Sequence, residues 1–179
     1  MSTFFKFFFF FFFFFSLEAG AQESFPESWI GNYKGELHIF GVDSVKMKVA
    51  MNLEIDKTSN DSIFNWTLIY NFNGNEDKRP YKLKVVNKNT GHYKIDEMNS
   101  IVLDGYQHTN TFTSFFGLID SFIIATYTKN KDVIVFEIIS SKSEPVSTTG
   151  NTKFEGEDIP EVRSYLVNGR QKAFLTKIE

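Results

Sequence analysis

Few residues in this chain have types and spacings that could do chemistry, and they are scattered. Arg163 and Tyr165 are two positions apart, so on an extended strand they share a face. Facing an interior, they would offer a forked cation and a hydroxyl to an anionic head group. Facing outward, the arginine stem would pack along the surface with its charge in solvent. Glu137 stands inside Val133-Ile134-Val135-Phe136-Glu137-Ile138-Ile139. A carboxylate in such company must be paired or exposed at the surface. It is either an interior acceptor partnered with Arg163, or an ion-paired or outward residue.

His38, His92 and His108 are isolated and lack the spacing of metal-binding pairs. Asp96, Glu97 and Asp104 are acidic, but neighbours on a strand point to opposite faces, unlike the paired carboxylates of a glycosidase. Glu155, Glu157, Asp158 and Glu161 do not follow the order of a calcium-binding loop and read as solvated charge. Neither G-x-S-x-G nor S-x-x-K occurs. With no cysteine there is no disulfide, thiolate metal site or cysteine nucleophile. No catalytic residue, metal site or cofactor is assigned, and an enzyme is the less favoured class.

The elements that would position these residues are strands. Trp29 to Ile39 alternates strictly: Trp29, Gly31, Tyr33, Gly35, Leu37 and Ile39 on one side, Asn32, Lys34, Glu36 and His38 on the other. Two glycines on the buried side mark a bend or the close approach of another backbone. Val45 to Ile55 is the cleanest alternation, with Met47 and Met51 inward. The third strand places Phe64, Trp66, Leu68, Tyr70 and Phe72 inward, and a fourth runs from Tyr81 to Val85. Further strands read as His92 to Asp96, Ser100 to Tyr106, Thr111 to Leu118, Ser121 to Thr128 and Val133 to Ile139. Ser140 to Pro160 shows no strand period and reads as a long loop. Val162 to Val167 and Lys172 to Ile178 read as a closing hairpin about the turn Asn168-Gly169. Helical periodicity is lacking throughout.

Met1 to Ala21 reads as a cleavable secretory signal: Lys6 supplies the basic start, Phe7 to Phe15 with Leu17 the apolar run, and Ala19-Gly20-Ala21 the cleavage site. The apolar run is too short for a spanning helix of about 20 residues. The mature domain is then 22–179, periplasmic or extracellular, without a stable membrane span. At 179 residues and 42% hydrophobic content, one domain can bury a sufficient core without staples. A formal charge of -3 gives no footprint for nucleic acid. Asn60-Asp61-Ser62 and Asn65-Trp66-Thr67 are formal glycosylation sequons.

About eight to ten sequential strands on short turns predict an all-β, antiparallel up-and-down meander closed into a barrel, with a β-sandwich as the alternative. The opening Trp-x-Gly-x-Tyr-x-Gly strand and the late strands together resemble the calycin group, the lipocalin-like and fatty-acid-binding-protein-like barrels. Only Gly41 to Ser44 separates the first two strands, so the helical lid of the fatty-acid-binding branch has no room. Arg163-Ser164-Tyr165 matches in type the Arg-x-Tyr pair with which that branch holds a carboxylate. The resemblance implies binding of a small apolar or amphipathic ligand. Its lining would be Tyr33, Met47, Met51, Phe64, Trp66 and Tyr70, with Arg163 and Tyr165 for the head group. The competing class is an interaction module that engages a protein or polysaccharide through its loops and has no ligand cavity.

Overall fold

Alternation at a period of two, sustained over ten or more residues, requires a sheet with one face buried, and here the sheet closes on itself. The computed structural model describes residues 24–179; the secretory signal expected over 1–21 lies outside them. Twelve strands follow in chain order: β1 (Gly31–Phe40), β2 (Val45–Lys57), β3 (Ile63–Phe72), β4 (Asn75–Asn87), β5 (His92–Asp96), β6 (Val102–His108), β7 (Thr111–Leu118), β8 (Ser121–Asn130), β9 (Val133–Thr149), β10 (Thr152–Phe154), β11 (Glu157–Ile159) and β12 (Val162–Ile178). Ten of them form a closed antiparallel barrel in the order β1-β12-β9-β8-β7-β6-β5-β4-β3-β2, while β10 and β11 pair separately. The sandwich alternative is excluded. Among the described residues no helix is long and apolar enough to cross a membrane.

Barrel closure is made by β1 against β12, from Asn32↔Ile178 to Ile39↔Gln171. Gly35 is what lets these two backbones meet: a Cβ there would lie 2.1 Å from the Phe174 carbonyl oxygen. The glycine on the buried side thus marks a close backbone approach.

One end of the barrel, here the lower, is sealed by Ser24 to Ile30. Trp29 is not part of β1; it ends a single 3-10 turn, Glu27–Trp29, and its side chain turns in. Phe25 stacks on Phe112 at 5.3 Å and packs edge-on to Trp29 and Tyr93 at 4.8 Å each. Two phenols hold this plug by its carbonyl groups. Tyr33 donates to Trp29 O at 2.9 Å and Tyr93 to Phe25 O at 3.1 Å. Both pairings satisfy backbone oxygens that burial would otherwise leave without a donor.

Two readings near the C-terminus are overturned. Ser140 to Pro160 is not a loop: β9 continues to Thr149, and β10 and β11 form a small hairpin beyond it. Val162 to Ile178 is one continuous strand rather than a hairpin. A two-residue Asn-Gly turn requires positive φ at both positions, and neither Asn168 nor Gly169 has it. Instead they form an irregularity between Val167↔Ser141 and Gly169↔Ser140. β8 stops pairing with β9 at Ser121↔Lys142, and β1 stops pairing with β12 at Gln171. Past those points β9 and β12 run on together as a two-stranded arm from the upper end.

Candidate functional site

The residues expected to line a ligand cavity divide into three groups. Tyr33, Met51 and Trp66 are 0% exposed and Phe64 is 2% exposed, packed into one cluster with Leu53, Ile55, Leu83, Phe112, Ile134, Phe136 and Leu175. They fill the lower half of the barrel and leave no lining role. The Trp66 ring meets Tyr127 edge-on at 5.1 Å, and Tyr127 lies 4.8 Å from Phe136. Met47 sits on the inner face near the upper rim, opposite Ile39, and is 42% exposed. Tyr70, opposite Met51, points into the barrel above the packed layer.

Arg163 and Tyr165 belong to neither interior position. Both lie on the arm, outside the barrel and opposite Thr148 and Pro145. Arg163 Nε bonds Glu161 at 2.6 Å; Tyr165 packs edge-on against Phe122 at 5.7 Å. Their lumenal role is overturned, because β12 has left the barrel by Val167. Glu137 is likewise not a partner of Arg163. It pairs with Arg170 at 2.9 Å and Lys172 at 3.6 Å on the outer face. His92 stacks on Tyr106 at 4.9 Å and bonds Asp104 at 2.7 Å, also outside. Among the described residues no group of histidines and acids gathers to hold a metal.

The upper half of the barrel holds what the sequence did not disclose. Residues directly opposite across paired strands share a face. Trp66↔Tyr81, Leu68↔Arg79 and Tyr70↔Asp77 therefore place Tyr81, Arg79 and Asp77 on the inner wall. The Arg79 guanidinium lies 5.0 Å from the centre of the Tyr70 ring, a cation–π distance. Both Nε and Nη2 bond one oxygen of Asp77, at 3.0 and 2.7 Å. These bonds hold Arg79 still more firmly protonated than usual. Below it stands Tyr127, 8% exposed at the top of the packed layer.

Burial keeps these phenols neutral: Tyr70 is pushed up to about 12, and Tyr81 and Tyr127 are raised for the same reason. The site thus presents a firmly held cation and hydroxyls that donate and accept. Around it the inner wall carries Leu103, Ile123, Ala125 and Ile138, each half-buried. The inner wall is fully buried below and only half-buried above. Ten strands are more than side chains alone fill in an eight-stranded barrel.

The extra signal for Arg79 was available. Counting back by two from Tyr81 reaches Arg79 and Asp77, but Arg79-Pro80 reads as a strand boundary. Thr67↔Pro80 lies within the ladder, and β4 runs on to Asn75.

No family model matches this chain, and no curated protein does. Among solved structures, an S-type phycobiliprotein lyase from Guillardia theta aligns over 86% of this chain and 90% of its own, with a TM-score of 0.56 and 8% identity. This is a calycin-like barrel. At that identity the likeness gives the calycin-like fold and no more, since one barrel carries many activities.

A separate cavity of about 870 Å³ lies at the lower end of the calycin-like barrel, beside Phe25 and Trp29 and among the turns at Lys88–Gly91 and Gln107–Asn110. It opens outside the sealed lumen. Gln107 Oε1 is buried there without a partner, while its Nε2 donates to Thr109 O at 2.6 Å.

Proposed function

We propose that this protein is an exported binding protein that holds a small amphipathic ligand in the upper half of its barrel. The observation that carries the reading is Arg79. A guanidinium on the inner wall, 48% exposed and flanked by Tyr70 and Tyr81, suits a ligand with an acidic group and an apolar body. The ligand's anion replaces Asp77 as the partner of Arg79, and Asp77 then turns to solvent, where it is already 56% exposed. The apolar body rests against Leu103, Ile123 and Ile138, with Tyr127 as the floor. The lower half serves as a rigid base and does not admit the ligand. Likeness to a phycobiliprotein lyase is in keeping with a barrel that takes a small molecule.

Titration with a fluorescent fatty acid tests the proposal, read by energy transfer from the tryptophans, of which Trp66 stands under the site. Arg79→Ala is expected to weaken binding about tenfold or more, the worth of one charge-assisted bond. Arg163→Ala, 59% exposed and outside the barrel, leaves affinity unchanged. Equal affinities for wild type and Arg79→Ala would remove the site.

A further inference from the structure

We infer that the ligand's head group is zwitterionic: its anion pairs with Arg79, and a cation beside that anion pairs with Asp77. This rests on the reading of Arg79 above and narrows it to one ligand class, an apolar body that carries an ammonium next to its acid.

The charges on this wall do not favour a bare anion. Arg79 is already balanced by Asp77, which accepts from both Nε and Nη2. Glu97, just past β5, adds a second negative charge: the Tyr81 phenol is raised first by burial and next by Glu97. The next lysines of β4 are engaged elsewhere, Lys82 with Asn65 and Lys84 with Asp96. One cation thus stands among two carboxylates, and like charges brought together are unfavourable. A ligand with its own cation leaves the local balance unchanged.

The order of residues along β4 sets the orientation. Tyr70↔Asp77, Leu68↔Arg79 and Trp66↔Tyr81 follow one another down the wall, with the turn between Phe72 and Asn75 above them. Asp77 is therefore nearer the upper rim than Arg79, by roughly 6.6 Å along the strand. With the apolar body over Tyr127 and the acid on Arg79, the rest of the head group points toward Asp77. An ammonium on the carbon that bears the acid fits that spacing.

The cation also has a seat. Tyr70 lies directly opposite Asp77, and its ring already takes one cation, the Arg79 guanidinium, at 5.0 Å. An ammonium between that ring and the carboxylate meets two partners that suit it. Asp77 is 56% exposed, and among the described residues Arg79 alone bonds it. It is thus able to exchange one cation for another.

The test titrates the full chain with two ligands of one chain length, dodecanoic acid and α-aminododecanoic acid, the second a zwitterion at neutral pH. Isothermal titration is expected to show the amino acid bound about fivefold more tightly, the worth of an ion pair partly in water with an aromatic face beside it. Asp77→Asn is expected to abolish that preference while keeping the plain acid bound at least as tightly, since its competitor for Arg79 is gone. Retained binding of the plain acid shows that this variant is folded, and the wild-type comparison needs no variant at all. Arg79→Ala weakens both ligands about tenfold, which tests the parent reading separately. Equal or weaker binding of the amino acid by wild type, with Arg79→Ala still weakening both, would overturn the zwitterion and leave the Arg79 site standing. So would a preference that survives in Asp77→Asn. If Arg79→Ala changes neither affinity, or neither ligand binds, the Arg79 site falls and the zwitterion with it.

Discussion

Replacing Gly35 by alanine tests the barrel closure most sharply. The added Cβ would lie 2.1 Å from the Phe174 carbonyl oxygen and 3.0 Å from its carbon. Both atoms are backbone of β12, so no rotamer change relieves the contact and the β1–β12 seam must part. Overpacking of this kind costs about 1–3 kcal/mol, with the upper end expected when backbone must move. The loss of glycine entropy in the unfolded chain returns roughly 0.5–1 kcal/mol. The net expectation is a destabilisation of about 2 kcal/mol, equivalent to a fall in Tm of roughly 4–8 °C for a domain of this size. Gly117→Ala is the matched control, since its Cβ would meet nothing closer than 3.9 Å; it should stay within about 0.5 kcal/mol of wild type. Far-ultraviolet circular dichroism, by thermal melt and urea titration, reads both. If the two variants melt together, β1 and β12 do not approach as described, and the explanation of the buried glycine fails.

Removal of the Tyr33 hydroxyl leaves the Trp29 carbonyl buried without its donor, so Tyr33→Phe should cost about 1–3 kcal/mol in urea unfolding. Tyr33 and Tyr70 are both pushed from 10.0 to about 12 by burial, which means the fold holds protons that the unfolded chain would release. Their stabilising effect is complete below pH 10 and is lost as pH rises from 10 to about 12. Tyrosinate absorbance should therefore rise together with loss of circular dichroism in that interval; smooth ionisation at ordinary values with the fold intact would contradict the burial.

Most of the barrel was legible because one face of each strand is buried, and burial is what writes a two-residue period into a sequence. Val49, Met51, Leu53 and Ile55 are buried while their neighbours are half-buried or exposed. The arm was illegible for the converse reason. From Glu144 to Thr149 every residue is exposed, so neither face selects for apolar side chains and no alternation appears. The same blindness misplaced Arg163 and Tyr165: which strands surround β12 at that height is a matter of register. Packing depth was also hidden. Tyr33 and Tyr70 are inward tyrosines alike in pattern, yet one is fully buried in the filled base and the other is half-buried above it.

The central claim is that the upper half of the barrel holds a small amphipathic molecule through Arg79. Native mass spectrometry of wild type and Arg79→Ala, each purified gently from the source organism, tests it most directly. The account predicts an added small-molecule mass on wild type that is absent or much reduced on the variant. A bare mass for both proteins, or the same adduct on both at equal occupancy, would contradict it.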